Sequence, residues 1–284
     1  MPKPPQALKT FDALLKVISA LRGPEGCPWD KKQTHQTLSS YAIEETHELV
    51  EAIEHKNDEM MQEELGDVLF QVILHAQLAQ ERKAFDIFDV IEGINAKIIR
   101  RHPHVFADLK ISSEDDILTN WDRIKTEEKK KKKQNSQKNI TEVLQLPDSL
   151  PSLQKAFKIG EKTEKLQFDW TTTQDVLTHL KSEIQELEEA IAQQKNPTDL
   201  KPIEHELGDV LFTAAQLARH LQTEPESCLR QANRRFTERF HGMLNLLKDE
   251  LSQKKKDFQI ESFSNLSASE KEQLWKKIKT LESK

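Results

Sequence analysis

Glycine, cysteine and tyrosine are all scarce in this chain of 284 residues, at seven, two and one respectively. Few glycines leave little material for tight hairpins, and a single tyrosine beside abundant Leu, Lys, Glu and Gln disfavours strands. An all-α fold follows from that balance. No glycine-rich phosphate loop is present, which excludes Walker-type nucleotide binding. Cys27 and Cys228 lack CxxC spacing in a chain too large to need disulfide staples, so a reducing, cytoplasmic interior is expected. The longest uncharged stretch, Val68 to Gln80, falls short of the ~20 apolar residues that cross a bilayer, and Asp12 and Lys16 interrupt Phe11 to Leu21. Neither a membrane span nor a signal peptide is expected.

Positive charge is not in excess either. With 42 basic against 48 acidic residues, the net charge of -6 gives no general attraction to nucleic acid or an anionic membrane, so a polyanionic substrate must be held locally. The Lys129 to Lys133 run and the polar residues behind it read as a fraying helix end and a linker. A nucleic-acid tail is the competing reading, but aromatic side chains that would stack on bases are missing nearby.

What the chain does contain is a repeat. Glu64 to Phe70 reads ELGDVLF, and Glu206 to Phe212 reads the same letter for letter. Each copy follows a second acidic segment, with Glu44, Glu45 and Glu48 before the first and Glu183 and Glu186 before the second. The correspondence extends outward: Trp29 matches Trp170, and Asn95, Lys97 and Arg101 match Asn233, Arg235 and Arg239 at identical spacing. Trp121 and Lys125 are echoed by Trp275 and Lys279. The length suits two domains, placed at about 1–128 and 149–284 with a charged, polar linker at about 129–148. Apolar periodicity and turn residues predict helices at about 7–21, 34–55, 58–82, 86–101 and 113–133, then 152–165, 173–194, 199–222, 225–249 and 267–282.

Helical geometry assigns Ala42, Thr46, Leu49 and Ile53 to the buried stripe of the second helix, with Glu45 and Glu48 on its flank. Glu183 and Glu186 sit likewise beside Leu180, Ile184, Leu187 and Ile191. On the third helix Leu65, Val68, Leu69, Phe70, Val72, Ile73 and Leu74 cover nearly the whole circumference, which predicts burial with Glu64 and Asp67 aboard. Ionised carboxylates in such surroundings cost several kcal/mol each unless a cation or donors compensate them. Mg²⁺ prefers carboxylate oxygens and is often shared with substrate phosphates. The expected ligands are therefore Glu45, Glu48, Glu64 and Asp67, repeated as Glu183, Glu186, Glu206 and Asp209. Surface acids paired with Lys and Arg are the bland alternative. A di-iron bundle is another, because Glu44-x-x-His47 matches its motif formally, yet no ligand histidine repeats at that spacing in the second unit.

Lys97 and Arg101 lie four apart on one helical face, as do Arg235 and Arg239, and can clamp phosphate oxygens or simply salt-bridge. Trp121 and Trp275 can stack on a base or belong to a core. His102 and His104 read as turn or capping residues, and His75 as a satisfied core histidine.

Glu44-Glu45-x-x-Glu48 followed by Glu64-x-x-Asp67 resembles the EExxE…ExxD signature of the MazG nucleoside triphosphate pyrophosphohydrolases. Gly26 to Asp30, Arg100 to Phe106, Phe168 to Trp170 and the duplicated layout extend the likeness over nearly the full chain. The resemblance implies tandem all-α NTP-pyrophosphatase units, Mg²⁺ dependence with Mn²⁺ as a substitute, a homodimer, and hydrolysis of a nucleoside triphosphate to monophosphate and pyrophosphate in nucleotide housecleaning. It implies catalytic roles for Glu44, Glu45 and Glu183, with Glu44 orienting the water. Substrate contacts would come from Lys97, Arg101, Trp121 and Lys125 in one unit and from Asn233, Arg235, Arg239, Trp275 and Lys279 in the other. Ser182 departs from the pattern by standing where the family has its first Glu. A non-catalytic nucleotide binder is the rival reading that this serine favours.

Overall fold

The computed structural model describes residues 2–107, 109, 113–132, 143–253 and 257–282, and all regular structure among them is helical. The chain divides into two compact units, Met1–Asn135 and Ser136–Lys284. Of the expected linker, residues 133–142 lie outside the described residues, while 129–132 belong to the preceding helix.

The first unit is built on an antiparallel pair, α3 (His35–Glu54) and α4 (Asp58–Glu81). Thr34 opens α3 through a reciprocal capping box with Thr37, and the Asn57 side chain accepts from two backbone N–H groups of α4. The turn between the helices is short enough to force them side by side. Against this pair pack α1 (Phe11–Arg22), the single turn and a half of α2 (Pro28–Lys32), and α5 (Ile87–Arg101), which is followed by the short α6 (Pro103–Phe106) and by α7 (Glu114–Lys132). The sequence predicts neither α2 nor α6, because each starts at a proline that reads as a stop but serves as the first helical residue. Ile18, Leu38, Ile73, Leu74 and Ile87 form the core, and each stabilises the unit by about 1.5–3 kcal/mol through its burial. Arg22 ties α1 to the far end of α4 with two 2.7 Å bonds to Glu81.

The second unit repeats the pairing with α9 (Thr173–Ala192) and α10 (Lys201–His220), α9 opened by a Thr172–Asp175 capping box. α8 (Ser152–Glu164) packs on α10 at a close approach. A Cβ at Gly160 would stand 1.9 Å from Gln216 Oε1 and 2.5 Å from Arg219 Nε, so only glycine lets the helices meet there. A second core joins α11 (Pro225–Gln253) and α13 (Ala268–Glu282) through Met243, Leu247 and Leu274, with Phe263 of α12 (Ile260–Ser264) packed against it.

Two expectations about helix faces need correction. The inward row of α3 is Leu38, Ala42, Glu45, Leu49 and Ala52, whereas Thr46 is exposed and Ile53 is 53% exposed. In α9 it is Val176, Leu180, Glu183, Leu187 and Ala190, with Ile184 and Ile191 turned outward. Both helices carry apolar residues on more than one face, and α4 and α10 select the row that includes the glutamate. Burial of α4 all round is also not met within one chain: Leu65, Leu69 and Val72 are exposed, as are Leu207 and Leu211 on α10. No helix among the described residues is long and apolar enough to cross a membrane.

Candidate active site

Because Glu45 belongs to the inward row of α3, it faces the row of α4 that carries Glu64, Asp67, Gln71 and Leu74. Glu45, Glu48 and Glu64 then bring one carboxylate oxygen each within 4.8 Å of one another. Glu183, Glu186 and Glu206 do the same between α9 and α10. Asp67 and Asp209 stand outside these tight groups but near enough to act on them electrostatically, Asp67 on Glu45 and Asp209 on Glu183.

Crowding shows in the ionisation of the acids. Burial pushes the Glu45 carboxyl up, Asp67 pushes it further, and a hydrogen bond from Gln71 opposes them. Glu64 rises through desolvation and then through Glu48 and Asp67. Glu183, only 9% exposed, rises through burial against the opposing effect of His179. These are oxygen donors gathered at a spacing one cation can bridge and in a field that favours neutralisation, so the residues fit a hard divalent ion.

Around the ligands the two units differ. Glu44 is exposed, and its counterpart Ser182 donates to Glu186 at 3.1 Å. Trp29 meets Tyr41 edge-on at 6.0 Å, whereas Trp170 meets His179 at 5.4 Å, and His179 Nε2 reaches Glu183 at 3.1 Å. Gln71 supports Glu45 in the first unit, but the matching α10 position is Thr213, also buried. Sequence reasoning passes over both Gln71 and His179. The only available signal is their position one or two helical turns from an acid.

A cleft of about 520 Å³ opens beside the second acidic group, lined by Glu186, Glu206, Lys195, Asn196, Pro202 and Ile203. The polar loop after α9 carries no motif that marks it in the sequence. Of the expected bases, Lys97 and Arg101 line a separate cleft of about 660 Å³ together with Arg100, Arg123 and Glu128, and none of the clustered acids borders it. Both arginines are drawn to Glu128 of α7, Arg100 Nε at 2.7 Å and the Arg101 guanidinium in a two-point contact at 2.6 and 3.2 Å. Arg101 also lies 5.7 Å from the Trp121 ring centre. The second unit repeats this triple, with Arg239 on Glu282 at 2.9 Å and 5.7 Å from Trp275. Trp275 packs into the α11–α13 core, while Trp121 is half-buried against the His102 ring. Lys97, Lys125, Asn233, Arg235 and Lys279 are exposed.

The histidines behave as connectors. His102 caps α5 by bonding Ile98 O at 2.7 Å, as expected of a turn residue. His75 shares a 2.8 Å hydrogen bond with His35, their rings stacked 5.1 Å apart, and burial holds the His75 pKa down.

Comparison with known proteins meets this geometry at the same places. The MazG nucleotide pyrophosphohydrolase domain is matched twice, over residues 33–106 and 171–242, so each match spans one acidic helix pair. The chain belongs to the MazG family. A nucleoside triphosphate pyrophosphohydrolase/pyrophosphatase MazG from Thermotoga maritima is 47% identical over 84% of this chain and 86% of its own length. The nucleoside triphosphate pyrophosphohydrolase of Escherichia coli K12 is 42% identical over 82% of this chain and 86% of its own. YabN of Bacillus subtilis, described as uncharacterised, is 39% identical over 96% of this chain and 52% of its own. MazG membership makes the chain a hydrolase of phosphorus-containing anhydrides, with its domain present in tandem.

Proposed function

We propose that this MazG chain is a Mg²⁺-dependent pyrophosphohydrolase that converts a nucleoside or deoxynucleoside triphosphate to its monophosphate and pyrophosphate. The observation that carries this reading is the paired occurrence of three converging glutamates between two packed helices, once in each MazG match. Glu45, Glu48, Glu64 and Asp67 hold the cation in one unit, and Glu183, Glu186, Glu206 and Asp209 in the other. Magnesium at such a site supplies Lewis acidity and lowers the pKa of a water.

The protein's own groups do the rest. Glu44 and Glu45 orient the attacking water and take its proton, with Glu183 in that role in the second unit, where Ser182 leaves one acid fewer. Lys195 lies in the cleft beside Glu186 and Glu206, where an ammonium can steady phosphate charge. Lys97, Arg101, Trp121 and Lys125 are proposed to take outer phosphates and base in the first unit, and Asn233, Arg235, Arg239, Trp275 and Lys279 in the second. Arg101 and Arg239 must first exchange Glu128 and Glu282 for the substrate.

The assembly is proposed to be a homodimer. Leu65, Leu69 and Val72 form an exposed apolar row on the acid-bearing helix, and Leu207 and Leu211 repeat it, which is the surface a helical partner would cover. Cytoplasmic housecleaning of nucleotide pools is the proposed setting, with free Cys27 and Cys228 suited to reducing conditions. The domains are proposed as 1–128 and 149–284 around the linker.

The test is pyrophosphate release from a nucleotide panel in Mg²⁺ and in EDTA, with Glu64→Gln and Glu206→Gln separately and together. Activity should vanish in EDTA and in the double variant. Full turnover by the double variant ends the proposal. Ser182 favours a second reading, in which one unit binds nucleotide without hydrolysis; a single variant that abolishes all turnover while ligand-induced stabilisation persists supports it.

A further inference from the structure

Gln71 is 6% exposed, sits on the inward row of α4, and donates from Nε2 to Glu45 Oε1 at 3.4 Å. Its other amide atom, Oε1, is buried and has no hydrogen-bond partner. Turning the amide over does not relieve this, because it would set oxygen against a carboxylate oxygen and strand the N–H group instead. A buried acceptor without a donor costs about as much as a lost hydrogen bond, and native interiors rarely tolerate it. No donor among the described residues reaches this oxygen, and the clustered carboxylates across the seam donate nothing when ionised. A water bound at the seam supplies the donor this oxygen lacks.

We propose that Gln71 is a positioning residue of the N-terminal site: its N–H steers Glu45 while its Oε1 accepts a hydrogen bond from a water held among the clustered carboxylates. The proposal rests on the reading of Glu45, Glu48 and Glu64 as cation ligands and adds what keeps them and their water in register. Such supporting bonds hold a ligand in place and typically change metal affinity by 10- to 100-fold when removed. The C-terminal site lacks this device. Thr213 occupies the matching position with a shorter side chain, and Glu183 is instead met by His179 from its own helix. The two sites are therefore supported by different chemistry from opposite sides.

The test uses the full chain carrying Glu206→Gln, so that Mg²⁺ titration by calorimetry reads the N-terminal site, with Gln71→Leu added. The expected result has two opposite signs. Mg²⁺ affinity falls about tenfold, while the melting temperature in EDTA holds or rises, since an apolar side chain of similar size removes the stranded acceptor. Gln71→Glu, which keeps the shape but adds charge, serves as a second probe. It keeps the acceptor but loses the N–H that steers Glu45, so Mg²⁺ affinity should fall less than in Gln71→Leu, while the melting temperature in EDTA drops. Unchanged affinity in Gln71→Leu overturns the positioning role, as does a fall in EDTA stability with affinity intact, which marks a packing role alone. If the Glu206→Gln protein takes up no Mg²⁺ at all, the failure lies with the cation reading of Glu45, Glu48 and Glu64.

Discussion

Arg219 is the residue whose removal should do most damage to the second unit. It is 9% exposed on α10, and its guanidinium bonds Asp169, Glu164 at 3.1 Å and the Gln216 side chain at 3.0 Å. Gln216 in turn donates to Ala156 O at 2.7 Å, so one buried network ties α8, the Phe168–Trp170 segment and α10 together. Arg219→Met keeps most of the packing volume but leaves the Asp169 carboxylate, whose side chain is 14% exposed, with only His220 at 3.2 Å and the Trp170 backbone N–H to compensate it. Breaking a buried pair from one side costs about 3–5 kcal/mol. At about 2–4 °C per kcal/mol for a unit of about 150 residues, its melting transition should fall by roughly 6–20 °C. Adding Asp169→Asn should recover much of the loss, because the penalty comes from the stranded charge. Linkage gives a pH signature. Burial works to raise the Asp169 pKa, but hydrogen bonds from Arg219 and His220 outweigh it and hold it below the usual range. Such a depressed carboxyl contributes stability fully present above its unfolded pKa near 3.9 and lost as pH falls through the lower folded value. Without Arg219 burial dominates, Asp169 protonates more readily in the fold, and the deficit should shrink as pH falls from 7 towards 4. Calorimetry and urea melts across that range decide it. A loss below about 1 kcal/mol at pH 7, or no recovery in the double variant, refutes the network's role.

If the glutamate groups bind Mg²⁺, then a concentration one hundred times the dissociation constant should stabilise each unit by about 2.7 kcal/mol over EDTA, and Glu64→Gln should remove the response of the first unit alone. Leu74→Ala in the first core, at a fully buried position, should lower stability by about 2–5 kcal/mol without altering the second unit. Glu128, held near a pKa of about 2 by hydrogen bonds from Arg101 and Arg100, should keep α7 paired to α5 under acid. Its contribution is complete above the ordinary value of 4.5 and fades only as pH falls towards 2, which carboxyl chemical shifts in a titration would track.

The helices and the duplication are legible in the sequence because both rest on local rules: caps such as Thr34 and Asn57, and a repeated heptapeptide. The face each helix buries is less so. Reading Ile53 and Ile191 as core residues follows the apolar letters, but α3 and α9 present apolar residues on several faces, and only the packed partner decides which row turns in. The apolar pattern thus puts Glu45 and Glu183 on the flank of their helices, whereas both belong to the inward-facing row. The pairing of Arg100 and Arg101 with Glu128 spans 27 or more residues, a separation for which no spacing rule exists. Gln71 could not be found by letter at all, since its meaning lies in one bonded and one stranded amide atom.

Duplication then explains why the two sites can differ. Each unit brings three glutamates together at a common seam, and their placing is fixed by the register of two packed helices. The groups that steer them are not so constrained, because a carboxylate can be held from the facing helix or from its own. Gln71 across the seam and His179 one turn back along α9 are two such arrangements, one an amide and one an imidazole. Loss of the Glu44 equivalent at Ser182 removes a negative charge on the side where His179 adds a basic nitrogen. The serine leaves the C-terminal cluster with one carboxylate fewer beside it. A site of lower charge holds a divalent cation less tightly before substrate arrives, and so leans more on substrate phosphates to complete the binding. Mg²⁺ affinity in the absence of nucleotide should therefore be higher in Glu206→Gln, where the N-terminal cluster is intact, than in Glu64→Gln. An equal or reversed order would show that the steering groups, and not the count of carboxylates, set the strength of each site.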